Sequence, residues 1–285
     1  MKPALFVYHE PVDLRDALHI LSEVAPLDGR IIAGGQSLVP MMAYRLATPP
    51  HLVDINRIDE LAKLSIADNH VMISACVRHA ALERIETPGP TGALLRAMAR
   101  HVAHYPIRVR GTFCGSLAHA DPASEWCLLA VSLGATMVAQ SLAGRREIAA
   151  ADFFQGIMAT ALRPEEILVA ARLPLLADDA RHAFLEFSRR TGDFAIASVL
   201  VAGRLVNGAV CEARIGVGGA EPVPRRLHDV EALIEGKAPA ADLLRRAADR
   251  AADAIEPLED SVNTAEHRRD LVRALTRRAL TQAFA

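Results

Sequence analysis

The chain has 285 residues, a mass of 30.7 kDa, a formal net charge of -2 and a pI of about 6.6. Hydrophobic residues make up 51% and charged residues 23%, which excludes a disordered chain and suffices for one large or two ordinary domains. No block of Lys and Arg sits beside aromatic residues, no apolar stretch reaches membrane-span length, and "MKPALFVYHEPVDLRD" has no secretory apolar run, so the expectation is a cytoplasmic protein without nucleic acid or membrane span.

"VDLRDALHILSEVA" places Leu14, Ala17, Leu18 and Leu21 on one face of a helix. "RIIAGG" reads as a short buried strand entering a glycine turn, and "HLVDI" as another strand. "LAKLSIADNHVMISA" reads as two strands around an Asp68-Asn69 turn. "GALLRAMARHVA" is helical and ends before Pro106. "TMVAQSLAGRREI" reads as a hairpin and "EEILVAARLP" as a strand. Residues 173–182, "LPLLADDARH", mark a boundary. Beyond them two β-rich runs flank Asn207-Gly208, the strongest short hairpin signal in the chain. After "EPVPRR" come two Ala- and Leu-rich helices with Arg on the exposed positions.

Four cysteines, Cys76, Cys114, Cys127 and Cys211, are dispersed and form no C-x-x-C pair. Zinc and iron–sulfur ligation want clustered thiolates, so no metal ligand is expected here.

Two small-residue stretches stand out. In "HADPASEWCLLAVSLGA", Asp121 is a good N-cap, Pro122 suits the first helical position and Gly134 the end. The loop before it therefore feeds a helix N-terminus, where free N–H groups and the helix dipole suit a phosphate. Gly115 admits close approach, and Ser116 adds a hydroxyl. In "AGGQS", Gly34 and Gly35 can take positive φ and form an anion-binding nest. Two nests suit a ligand with two phosphates, although either loop alone is more often a structural turn. Neither G-x-G-x-x-G opening a helix nor G-x-x-x-x-G-K-[ST] occurs, and "GVGGA" at 216–220 fits neither.

Taken together, "AGGQSLVPMMAYRLATPPHLVDI", "IRVRGTFCGSLAHADPASEW", "EFSRRTGDFAIASV" and "EHRRDLVRALTRRAL" resemble the FAD-binding medium subunits of the molybdenum hydroxylases, a group that includes xanthine dehydrogenase and carbon monoxide dehydrogenase. The resemblance covers nearly the whole chain. It implies an α+β fold: a vanillyl-alcohol-oxidase-type FAD-binding domain over 1–176, in subdomains of about 1–57 and 58–176. A smaller α+β domain of antiparallel sheet plus helices follows at 177–285. It further implies non-covalent FAD with its diphosphate between the two loops. Ile32, Ala33, Gly34, Gly35, Gln36, Ser37 and Leu38 would line the first loop, and Thr112, Cys114, Gly115, Ser116 and His119 the second. Val102 and Leu168 would also touch the cofactor. Ser124 and Glu125 would lie near its adenosine end, and Phe194 beside the isoalloxazine.

This chain departs from the family pattern at two of these positions and at one in the terminal helix motif. Cys114 replaces the first glycine of a Gly-Gly pair, where a positive φ would strain it; Glu125 replaces an aspartate, and His267 a tyrosine. The implied role is electron transfer: from a molybdenum-containing large subunit, through [2Fe-2S] clusters on a small subunit, to FAD here and on to an external acceptor. The implied assembly is a dimer of heterotrimers, and no residue of this chain acts as a catalytic acid, base or nucleophile. An independent flavin oxidoreductase would need a large substrate domain or a covalent flavin histidine motif, and neither is identifiable.

Overall fold

The computed structural model describes residues 2–285. The first unit runs β1 (Val7–His9), α1 (Leu14–Val24), β2 (Arg30–Ile32), α2 (Leu38–Ala43) and β3 (His51–Asp54). Its three strands form a parallel sheet in the order β1-β3-β2. Parallel strands need crossovers: α1 carries the chain from β1 to β2 on the far side of β3, and α2 from β2 back to its neighbour β3. Asp13 caps α1 through Asp16 N at 2.8 Å, and Ala17, Leu18, Leu21 and Val24 form its buried stripe.

The second unit contains β4 (Leu64–Ala67), β5 (His70–Ser74), α3 (His79–Leu82), α4 (Gly89–Ala99), α5 (Tyr105–Arg108), α6 (Phe113–His119) and α7 (Glu125–Leu133). It continues through β6 (Thr136–Ser141), β7 (Gly144–Ala149), α8 (Ala150–Phe153), β8 (Phe154–Gly156), β9 (Ala159–Thr160) and β10 (Ile167–Pro174). Five of these strands make an antiparallel sheet, β4-β5-β10-β6-β7, with the apolar run "ILVAARLP" at its centre. The Asp68-Asn69 turn has φ of 49° and 61°, as a tight hairpin demands.

The third unit is β11 (Arg181–Phe187), β12 (Ala197–Val206), β13 (Ala209–Gly218), β14 (Arg225–Arg226), α9 (His228–Ile234), α10 (Ala241–Ala254) and α11 (Ala265–Phe284). It is an antiparallel sheet, β11-β12-β13-β14, covered on one face by the helices. On the other face lies α7, and this explains why "WCLLAVSL" is apolar all round: the helix is sandwiched between the two antiparallel sheets, with Trp126, Cys127, Leu128, Leu129 and Ala130 fully buried. Gly216 in "GVGG" is a packing residue, since a Cβ there would fall 1.9 Å from Ser132 Oγ on α7.

The expected α+β architecture is the one found, with four local corrections. Asp121 and Pro122 do not start α7. They form a turn, with Ala123 N donating to Asp121 Oδ1 at 2.9 Å, and the helix begins at Glu125 after Ser124. The cause is tertiary: Gly219 N takes the Pro122 carbonyl at 2.8 Å, so that carbonyl does not enter a helical ladder. Residues 113–119 are no loop but the helix α6, capped by Thr112 Oγ1. Of Gly34 and Gly35, only Gly35 has positive φ, at 71°. Arg268 is not on an exposed helix face: it is 7% exposed.

Candidate functional site

The first small-residue loop emerges at a strand end, and the second follows α5. β2 ends at Ile32, whose carbonyl accepts from Ile55 N at 3.1 Å, and the chain then turns through Ala33–Ser37 into α2. Gly35 sits at φ 71°, where a side chain is strained. The Gln36 amide folds back to donate to Gly34 O at 2.8 Å, which fixes the turn. Among the described residues, the N–H groups of Gly34, Gly35, Gln36 and Ser37 have no protein acceptor. Four successive unpaired donors on a tight turn form an anion nest.

The second loop is pinned to the strand side of the molecule. His79 N donates to Gly111 O at 3.0 Å and Phe113 N to Val77 O at 3.0 Å, an isolated bridge around Arg78 and Thr112. The bridge turns the Thr112 N–H outward, and that group and Cys114 N–H, in the first turn of α6, also have no protein acceptor among the described residues. Thr112 Oγ1 is taken by Gly115 N at 3.0 Å. A Cβ on Gly115 would stand 2.6 Å from that oxygen, so a side chain there displaces the cap. Cys114 is helical and free of the strain a positive φ would bring. Its thiol points into the core toward Ile73 O at 3.4 Å, and burial raises its pKa.

The two loops touch. A Cβ on Gly34 would lie 2.4 Å from Arg110 O and 2.6 Å from Gly111 Cα, so glycine is required for this approach. Beside the contact opens a cavity of about 330 Å³ between the first two units, at the lower end for small-molecule clefts. Ala33, Cys114, Gly115 and Leu168 line it with Ile31 and Leu162, while Arg30, Arg163 and Glu166 bring charge to its rim, so its wall is mixed. Ser116 and His119 follow on α6, both half-buried, while Ser37 is exposed and Leu38 half-buried on α2.

The other expected site residues gather elsewhere, at the junction with the third unit. Val102 is buried, and Phe194 is 74% exposed. The turn before Phe194 rests on the 101–104 segment, because a Cβ on Gly192 would lie 2.5 Å from the His104 ring. His101 Nδ1 meets Glu186 Oε1 at 3.0 Å, which raises the imidazole pKa. Glu125 is close enough to sense Glu186, His101 and Asp121, and burial pushes its carboxyl up to about 8. Ser124 Oγ is buried without a hydrogen-bond partner. None of Val102, Ser124, Glu125 and Phe194 lines the cavity.

The geometry fits an FAD: free N–H groups on two touching loops, a glycine contact with no room for a Cβ, an adjoining slot of mixed polarity and an orphaned buried hydroxyl. The sequence reading overlooked the groups that hold this arrangement. Trp126 Nε1 donates to His79 Nδ1 at 3.0 Å, against the ring on which Gly111 packs. Asn56 and Arg78 bridge the two loops. No local pattern marks either pair, since the partners lie 47 and 22 residues apart.

Comparison with known proteins agrees with this geometry. Residues 4–176 match the model of the FAD-binding domain in molybdopterin dehydrogenase, and 182–283 that of the CO dehydrogenase flavoprotein C-terminal domain. The chain is 35% identical to the nicotine 6-hydroxylase medium subunit of Paenarthrobacter nicotinovorans, covering 100% of this chain and 99% of the relative. It is 35% identical to the caffeine dehydrogenase subunit beta of Pseudomonas sp. (strain CBB1), over 99% of this chain and 96% of the relative. Among solved structures, the carbon monoxide dehydrogenase of Hydrogenophaga pseudoflava lacking the Mo-pyranopterin moiety superposes with a TM-score of 0.94 at 33% identity, covering 99% and 98% of the two chains.

Proposed function

This chain belongs to the family of FAD-binding oxidoreductase subunits in the molybdopterin dehydrogenases, and from that membership we propose that it relays electrons as the flavin subunit of a molybdenum hydroxylase. The observation that carries the reading is the pair of free N–H nests on two loops that touch at Gly34. The first nest, Gly34–Ser37, and the second, Thr112 and Cys114, hold the diphosphate, and the cavity at Ala33 and Leu168 takes one ring of the dinucleotide. Bound flavin exchanges electrons singly or in pairs. The protein's share is position and polarity: Gly35 and Gly115 give access. Partner chains supply the molybdenum cofactor and the [2Fe-2S] clusters, in a dimer of heterotrimers, and an external acceptor removes the electrons. Phe194 lies beside the isoalloxazine, Ser124 and Glu125 near the adenosine end, His119 in the second loop, and Val102 also touches the cofactor.

Co-expression with the molybdenum and iron–sulfur subunits from the same operon tests this. The assembled complex should pass electrons from a small organic substrate or carbon monoxide to its acceptor. The complex lacking this chain should still be reduced by substrate but fail to reduce the acceptor. Undiminished acceptor reduction without this chain overturns the proposal.

A further inference from the structure

Beside the nests lies a hydrogen-bonded bracket built from residues outside either loop. Tyr8 on β1 donates to Asp54 at the end of β3. Asp54 Oδ1 accepts from Asn56 N at 2.8 Å and from Asn56 Nδ2 at 2.5 Å. The same Asn56 amide donates to Ala33 O, in the first loop, at 2.6 Å. Its oxygen accepts from Arg78 Nη2 at 2.6 Å, and Arg78 Nη1 donates to Arg110 O, in the second loop. The path therefore runs from one loop carbonyl to the other through two side chains. Arg110 O is also the atom nearest to the position a Cβ would take on Gly34, so the bracket grips the loops where they touch.

A guanidinium suits this place for two reasons. Its fixed fork reaches two acceptors at once, which a lysine ammonium on a flexible stem does with less order. Its charge, on Arg78 beside Thr112, raises the positive potential where the second nest begins. The amide of Asn56 is equally specific. It must donate to the Ala33 carbonyl and accept from Arg78 at the same time, which an aspartate cannot do.

We infer that Asn56 and Arg78 are positioning residues that set the gap between the two nests and so preorganise the chain for a ligand with two linked phosphates. Neither side chain touches the ligand for this purpose; each acts through a loop carbonyl. The inference rests on the loop assignment above. Holding both nests at one spacing before binding removes an ordering cost from the binding step.

The test is FAD titration of the apo chain, followed by quenching of flavin fluorescence, together with the apo thermal midpoint. Arg78→Met and Asn56→Leu should each weaken FAD about tenfold, the loss of one or two net hydrogen bonds. The double variant should lose little more than either single one, because both break the same bracket. Arg78→Lys, which keeps the charge, should recover less than half of the loss in binding free energy. Apo midpoints should stay within a few degrees of the parent, since a residue that only stabilises the fold moves the midpoint and leaves the affinity of folded protein alone. Should the hydrophobic variants fall in midpoint, Arg78→Lys and Asn56→Ser carry the same comparison.

Native affinity in Arg78→Lys, or fully additive losses in the double variant, overturns the bracket. Gly35→Val is the separate control. If it keeps FAD at parental levels, the loop assignment itself fails. If it loses FAD while the Asn56 and Arg78 variants bind normally, only the bracket fails.

Discussion

Two ionisable groups near the site, the buried His79 and the half-buried Glu125, make opposite demands on pH. His79 accepts the indole N–H of Trp126 on Nδ1, and desolvation by burial, then Arg108 and Arg78, lower its pKa to about 3. A base with a depressed folded pKa binds protons more readily when unfolded. Its contribution is therefore complete above about 6.5 and lost as pH falls toward 3. Glu125 is the reverse, its carboxyl raised to about 8 by burial. The folded state favours its protonated form, so stability is complete below about 4.5 and declines as pH rises toward 8. Glu125→Gln should therefore gain thermal midpoint over the parent apo chain increasingly between pH 5 and 8. Equal midpoints of the two proteins at both ends of that range would refute the assignment. His79→Gln, which keeps an acceptor for the indole, should flatten the acid limb. Trp126 is the chain's only tryptophan, so apo emission should show no titration centred near pH 6.5.

The terminal helix shows why an element matters beyond its own face. The sequence pattern of α11 assigns its arginines to solvent, and most follow it. Arg268 instead turns inward and donates from Nη1 to Ile196 O at 2.6 Å and Gly219 O at 2.9 Å. Its Nη2 reaches Asp260 Oδ2 at 2.5 Å, a carboxylate whose pKa is held low by the N–H groups of Val262 and Asn263. Gly219 in turn donates to Pro122 O. One guanidinium thus ties α11 to the start of β12, which follows Phe194, and through Gly219 to the turn before α7. Arg268→Met should leave two buried carbonyls short of a donor and cost about 2–3 kcal/mol in urea unfolding. The same variant should loosen the 188–195 turn, read as faster amide exchange there than in β4 and β5. Unchanged exchange at that turn contradicts the link. The exposed arginines nearby form surface pairs such as Arg245–Asp242, and removing one should cost little.

At the scale of the molecule, the chain carries nests for one diphosphate, and we expect one FAD per chain, held without a covalent bond. Acid precipitation should release all flavin to the supernatant, and colour left in the pellet would contradict this. Alone, the chain should turn over organic substrates far below the enzymatic floor of about one per second. A rate at or above that value would favour an independent flavoenzyme. Much of this architecture is legible locally. Apolar periodicity marks α1 and α10, the Asp68-Asn69 and Asn207-Gly208 turns mark two hairpins, and "AGGQS" and "GTFCGS" mark where backbone must lie open. Such signals lie within a few residues, where sterics and side-chain period act directly. β1, β8, β9 and β14 are two or three residues long, too short to carry a period, and exist only through their partners. The sequence by itself determined the longer periodic elements, the two hairpin turns and where the backbone must lie open. Tertiary structure alone decided that Pro122 sits inside a turn rather than a helix, that Arg268 is buried, that Glu125 sits among His101 and Glu186, and that Asn56 and Arg78 span the loops. These depend on desolvation and on donors meeting acceptors far apart in the chain, and no short window of residues encodes such meetings.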